Sequence, residues 1–249
     1  MARLGLPLEI RACLFDLDGV LTDTAKLHAK AWQEMFDGFL SERARSSAKP
    51  FVPFDVLRDY DQYVDGKPRD EGTRSFLDSR DVQLPEGTDS DPPTAQTIHG
   101  LGKRKNAILL ASIREQGVEA YPGSVRYLRA VKHAGLRTAV VSSSKNCQEV
   151  LVAAGISELF DARVDGVVAA EQRLPGKPAP DTYLAAARAV ATIPAQAAVF
   201  EDALAGVAAG RAGHFGFVVG VDRVGQADEL RRYGADVVVT DLAALLEVT

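Results

Sequence analysis

The chain has 249 residues, 46% hydrophobic and 25% charged, with a formal net charge of −5. Such a chain suits a soluble globular protein, either one large domain or a core domain with a smaller insertion. The acidic balance argues against a general nucleic-acid binder, which needs a basic footprint. No apolar run reaches the roughly 18–20 residues of a membrane helix.

Taken in chain order, residues 1–10 carry one basic residue and no cleavable apolar leader, so they read as a lead-in and the expected location is the cytoplasm. The apolar run Ile10–Phe15 predicts a buried strand that ends at carboxylates and Gly19. Leu27, Ala31 and Met35, with Trp32 and Phe36 beside them, predict a helix over Thr24–Phe39. Ser41–Pro53 reads as irregular, Phe54–Tyr63 as a short helix, and Asp65–Pro68 as a loop. Helices are predicted over Glu71–Asp78 and Lys103–Gln116, with the Pro- and Gly-rich Leu84–Thr97 a surface loop between them.

From Tyr121 onward strands and helices alternate. Strands are predicted at Thr138–Val141, Ala162–Val164, Gly166–Val168, Ala197–Phe200, Phe215–Val221 and Asp236–Val239. Helices are predicted at Val125–Ala134, Asn146–Ala154, Asp181–Ala191, Ala203–Ala212 and Gln226–Tyr233. The fold class is therefore α/β: a doubly wound parallel sheet, here with a helical domain inserted after its first strand. The expected division is a core of residues 1–24 and 118–249 and a helical cap of residues 25–117. Cys13 and Cys147 lack metal-type spacing and read as reduced thiols.

Ligands of open α/β sheets bind at the carboxyl ends of the strands. Three predicted strands end in polar groups there: Asp16 and Asp18, Ser142–Lys145, and Glu201–Asp202. Lys177 comes from the loop Gly176–Asp181. Clustered acids repel one another and resist desolvation, which a divalent cation relieves, and all-oxygen ligands favour Mg²⁺. An aspartate nucleophile, a metal, a lysine and a serine hydroxyl together suit phosphoryl transfer through an acyl-phosphate.

At these residues the sequence resembles the haloacid dehalogenase superfamily. Asp16-x-Asp18, Ser142, Lys177 and Glu201-Asp202 occur in the order of its four motifs, and the resemblance runs from Ile10 to Val221. Within it the chain is most similar to the β-phosphoglucomutase-like group, on Asp16–Thr24, His28, Trp32, Tyr121-Pro-Gly, Ser142–Asn146, Lys177–Asp181 and Glu201-Asp202. The resemblance implies that Asp16 is the phosphorylated nucleophile and Asp18 the general acid/base. It implies that Asp16, the Asp18 carbonyl, Glu201 and Asp202 surround Mg²⁺, and that Ser142 and Lys177 hold the transferring phosphate. Ser144, Lys145 and Asn146 would line the substrate side. In the cap, Gly66, Lys67 and Arg69 would form a specificity loop, and Lys105 and Asn106 would face the active site. Thr24, His28 and Trp32 would complete the substrate-binding set. The cap departs from the group at Leu84–Gly102 and at Pro68.

The resemblance implies an enzyme acting on a small phosphorylated sugar; charge and the lack of a long apolar run leave neither nucleic acid nor membrane as an expected partner, and a monomer is expected. The leading expectation is a mutase converting β-glucose 1-phosphate to glucose 6-phosphate through a bisphosphate. The alternative is a sugar-phosphate phosphatase with the same nucleophile, which the altered cap segment keeps open. Simpler roles stand beside these: Glu201 as a group behind the metal ligands, Ser144 as a helix cap, and the Lys103–Lys105 run as a solvated face.

Overall fold

The computed structural model describes residues 4–46 and 50–246. The chain divides into two units, Met1–Asp23 with Val118–Thr249, and Thr24–Gly117.

Among the described residues the first unit holds a parallel sheet of six strands: β1 (Ala12–Phe15), β2 (Arg137–Val141), β3 (Ala162–Val164), β4 (Ala197–Glu201), β5 (Phe217–Val221) and β6 (Val237–Val239). Their spatial order is β3-β2-β1-β4-β5-β6. The order reverses between β1 and β4, and that reversal opens a crevice at their carboxyl ends. Both strands are buried on both faces, which explains why they read as continuous apolar runs rather than alternating ones. Phe15 pairs with Phe200 in register, and the two rings stack with centroids 4.4 Å apart. The amide of Asp16 donates to the carbonyl of Phe200 at 2.9 Å. The register therefore delivers Asp16 and Glu201 side by side, one residue beyond the stacked pair.

Among the described residues the α-helices of this unit are α4 (Pro122–His133), α5 (Cys147–Ala153), α6 (Gly166–Gln172), α7 (Asp181–Ala189), α8 (Leu204–Ala212) and α9 (Ala227–Tyr233), numbered after those of the second unit. Tyr183, Ala185, Ala186 and Phe215 pack against Leu14, Val141 and Val199 on one side of the sheet. Val207, Val218 and Leu230 form a smaller cluster.

The second unit contains α1 (Ala25–Ser46), α2 (Arg69–Ser79) and α3 (Ile98–Gln116). Trp32, Met35, Phe36 and Phe39 recur at helical spacing and are buried with Phe54, Phe76 and Leu101. Phe36 is the hub, 5.3 Å from the ring of Trp32, 5.4 Å from Phe54 and 4.1 Å from Phe76.

Several local expectations are corrected. Residues 166–168 are the first turn of α6, not a strand, because the Asp165 carboxylate accepts hydrogen bonds from the amides of Val167 and Val168. Helix α1 runs on through the stretch expected to be irregular as far as Ser46, while residues 47–49 lie outside the described residues. The helix expected at Phe54–Tyr63 is present only from residue 58, where it runs into a π-helical turn at Tyr60–Val64; before it the chain forms a turn pinned by Asp55 and Asp59. Helix α3 starts at Ile98, five residues early, because Thr97 caps it by accepting from the amide of Gly100. Helix α2 starts at Arg69, so that arginine stands in a helical first turn rather than in a loop.

Candidate active site

Asp16 directly follows β1 and Glu201 ends β4, both buried. Lys177 joins them from the loop before α7. Its ammonium donates to Asp16 Oδ1 and to Glu201 Oε1, each at 2.5 Å, and more distantly to the carbonyl of Val141 at 3.5 Å. Glu201 is held from two further directions. The Tyr183 hydroxyl donates to its Oε1 at 3.0 Å, and the amide of Ala203 donates to its Oε2 at 3.1 Å. Helix α8 leaves room for that carboxylate only because residue 206 is glycine; a Cβ there would sit 1.7 Å from Glu201 Oε1.

Burial pushes the Asp16 carboxyl well above the usual carboxylate range; Lys177 opposes the rise, while Glu201 and Asp18 add to it. Burial would lower the Lys177 ammonium, yet the carboxylates of Asp16 and Glu201 outweigh it and hold the group charged. One oxygen from each of Asp16, Glu201 and Asp202 lies within 4.8 Å of the others. With Asp16, Glu201 and Asp202 all ionised and Lys177 paired with the first two, the cluster would carry two uncompensated negative charges. An all-oxygen set with that excess fits a hard divalent cation. Oε2 of Glu201, with one protein donor against two on Oε1, is the better placed of its oxygens for such an ion.

The turn after β1 is shaped for this cluster. Gly19 has φ +84°, and a Cβ on it would lie 1.7 Å from Asp202 Oδ2. Ser142 follows β2, is buried, and accepts from the amide of Ser144 at 3.1 Å. The Ser144 hydroxyl in turn accepts from the amide of Asn146, forming a turn just ahead of α5. Lys145 is exposed and Asn146 half-buried.

In the second unit, His28, Trp32 and Lys105 come together. Lys105 is 4% exposed, its ammonium 3.1 Å from His28 Nδ1 and 5.0 Å from the centre of the Trp32 ring. With Lys105 as an ammonium, Nδ1 is the acceptor of this pair. Thr24 is buried, and its carbonyl caps the amide of His28. Arg69 is largely buried, its Nε 3.9 Å from Asp70 Oδ1. Gly66 has φ +68°, and Asn106 is half-buried. Lys67 bonds the Ser75 hydroxyl at 3.0 Å. Lys103 and Arg104 serve the cap itself: Lys103 holds the carbonyls of Asp89 and Asp91, and Arg104 that of Pro93, so the segment before α3 is tied down.

Sequence reasoning missed Tyr183 and Gly206, which hold and admit Glu201. It also missed Arg223 and Gln226, from the loop after β5. None of these sits in a motif; Tyr183 lies only two residues beyond the Lys177–Asp181 segment.

A sequence model described as haloacid dehalogenase-like hydrolase matches residues 10–214. The chain belongs to this family. It is 57% identical over 246 residues to a β-phosphoglucomutase of Mycobacterium tuberculosis (strain CDC 1551 / Oshkosh), covering 98% of this chain and 94% of that one. It is 32% identical to a β-phosphoglucomutase of Bacillus subtilis (strain 168), covering 95% and 92%. Among solved structures, the β-phosphoglucomutase of Clostridium difficile superposes with a TM-score of 0.73 at 26% identity, over 95% of this chain and 93% of that one. A haloacid dehalogenase-like enzyme with this acidic cluster carries out magnesium-dependent phosphoryl transfer through an aspartyl-phosphate. Among the described residues, no helix is long and apolar enough to cross a membrane.

Proposed function

We propose that the protein is a β-phosphoglucomutase, interconverting β-glucose 1-phosphate and glucose 6-phosphate through a bisphosphate. The observation that carries this reading is the 57% identity to the Mycobacterium tuberculosis relative across 98% of the chain. Residues 1–24 and 118–249 are the catalytic core and residues 25–117 the cap.

In this reading phospho-Asp16 gives its phosphoryl group to the O6 hydroxyl of β-glucose 1-phosphate. The bond from phosphorus to Asp16 breaks as the bond to O6 forms, and Asp18 takes the hydroxyl proton. The bisphosphate then returns its O1 phosphoryl group to Asp16, Asp18 gives the proton to O1, and glucose 6-phosphate leaves. Ser142 and Lys177 hold the transferring phosphate, and in the unphosphorylated site the carboxylates of Asp16 and Glu201 keep Lys177 a cation. Asp16, the Asp18 carbonyl, Glu201 and Asp202 would hold a Mg²⁺, which would supply polarisation of the phosphoryl oxygens.

The sugar and its second phosphate fall to Thr24, His28, Trp32, Gly66, Lys67, Arg69, Lys105 and Asn106 of the cap and to Ser144, Lys145 and Asn146 of the core. The buried cation of Lys105 and the largely buried one of Arg69 support this, since a dianionic phosphate compensates their desolvation. The partner is a small phosphorylated sugar, with no need of nucleic acid or membrane. One chain carries every group named, so a cytoplasmic monomer suffices.

The test is to incubate the protein with Mg²⁺, β-glucose 1-phosphate and a trace of β-glucose 1,6-bisphosphate, scoring glucose 6-phosphate and free phosphate separately. Glucose 6-phosphate is the expected product. Free phosphate without it would make the protein a phosphatase instead.

A further inference from the structure

The loop that follows β5 grips the active-site turn from behind. Asp222 shapes this loop, its Oδ1 accepting from the amides of Val224, Gly225 and Gln226 at 3.2, 2.7 and 2.9 Å. Its own amide donates to the carbonyl of Val239, which anchors the loop to β6. From this base two side chains reach the catalytic groups.

Arg223 reaches the turn after β1. Its Nε donates to the carbonyl of Gly19 at 2.8 Å, its Nη2 to that of Val20 at 3.4 Å, and its Nη1 to that of Thr240 at 2.8 Å. The guanidinium lies 3.7 Å from the centre of the Tyr121 ring, whose hydroxyl donates to Asp23 Oδ1 at 2.8 Å. Gln226 reaches the other acidic strand end, its side-chain amide donating to the carbonyl of Asp202 at 3.1 Å.

The geometry has a consequence for the peptide planes. The Gly19 amide donates to the carbonyl of Thr22 at 2.8 Å while its carbonyl accepts from Arg223. The Gly19 amide shares the peptide plane of the Asp18 carbonyl, so its bond to Thr22 orients that plane; Arg223 holds the adjoining Gly19–Val20 plane and so limits rotation about Gly19. The same glycine packs directly on the Asp202 carboxylate, and Gln226 fixes the backbone of Asp202. Arg223 and Gln226 thus meet the cluster from two sides, without touching a carboxylate in any of these bonds.

We propose that Arg223 and Gln226 are positioning residues for the cation site, setting the Asp18 carbonyl and the Asp202 carboxylate in place before the cation arrives. This rests on the reading above that those two groups hold Mg²⁺. Partners of this kind act by removing conformational freedom from ligands that the ion would otherwise have to order.

The experiment is calorimetric titration of MgCl₂ into the full-length protein and its Arg223→Met, Arg223→Lys and Gln226→Met variants, with Arg211→Met as a control. Arg211 pairs with Asp236 on the surface and touches neither loop. Arg223→Met and Gln226→Met are expected to weaken Mg²⁺ binding about tenfold or more. Arg223→Lys, which can reach one carbonyl but not three, is expected to fall between Arg223→Met and wild type. Thermal melting without the metal separates this from simple unfolding. A merely structural role would lower the melting temperature and leave affinity unchanged in the folded fraction. If Arg223→Met does not fold, Gln226→Met and Arg223→Lys decide the matter. Wild-type affinity in these two variants overturns the proposal. A wild type that does not bind Mg²⁺ overturns the reading of the acidic cluster and the brace with it.

Discussion

The ammonium of Lys177 and the carboxylate of Glu201 lie 2.5 Å apart, with both side chains 1% exposed. Glu201 is thereby bound to the same lysine that holds Asp16, and the cation-binding and phosphate-binding halves of the site share one charge balance. Removing the lysine would strand two carboxylates in a dry environment. Lys177→Met is expected to lose turnover and to destabilise the protein by about 3–5 kcal/mol in the absence of metal. Urea unfolding with and without Mg²⁺ measures this, and a loss that Mg²⁺ does not partly restore would contradict the shared balance.

Asp16→Asn keeps the shape of the side chain and removes both its charge and its nucleophilicity. Turnover is expected to fall by at least about a thousandfold. No phosphoryl label should transfer to the protein from a labelled bisphosphate. The raised pKa of Asp16 shows that its burial disfavours the charged form. The metal-free variant should therefore be no less stable than wild type at neutral pH, while its gain in melting temperature on adding Mg²⁺ shrinks. An undiminished gain would remove Asp16 from the cation site.

Gly206→Ala tests packing rather than charge. Its Cβ would fall 1.7 Å from Glu201 Oε1, so the carboxylate must shift and loosen its bonds to Lys177 and Tyr183. Overpacking of this kind costs about 1–3 kcal/mol. Chemical denaturation measures that cost, and weaker Mg²⁺ binding should accompany it. Gly38, where an added Cβ meets nothing within 4 Å, serves as the comparison, and Gly38→Ala should cost nothing.

Asp61 gives a pH prediction away from the active site. Burial pushes its carboxyl up to about 6. The folded state binds this proton more tightly than the unfolded chain, so the contribution of Asp61 to stability is full below the ordinary aspartate value, about 4. It is lost as pH rises through about 6. Asp61→Asn should therefore match wild type near pH 4 and exceed it above pH 6. Urea midpoints recorded across that range decide it, and parallel curves would refute it.

Much of the fold was legible because its signals are local. The apolar runs before Asp16 and Glu201 and the helical spacing of Leu27, Ala31 and Met35, with Trp32 and Phe36 beside them, need no partner to be read. Errors arose where a side chain overrode composition. Asp165 turned an apparent strand into α6, and Thr97 started α3 early. Pro68 suggests a break that would leave Arg69 in a loop, whereas proline at that point precedes a helix without disturbing it. Lys103 and Arg104 looked like a solvated run, and only folding gave them the carbonyls of Asp89, Asp91 and Pro93.

The amino-acid sequence alone determined the chemistry, because Asp16, Asp18, Ser142, Lys177 and Glu201-Asp202 each follow a strand or loop whose type is written in its neighbours. The tertiary structure decided how those groups are held. The pairing of Phe15 with Phe200 brings Asp16 beside Glu201; Gly206, Tyr183, Arg223 and Gln226 then fit around them from distant elements. Register and close approach depend on contacts between residues far apart in the chain, and local periodicity carries no record of them.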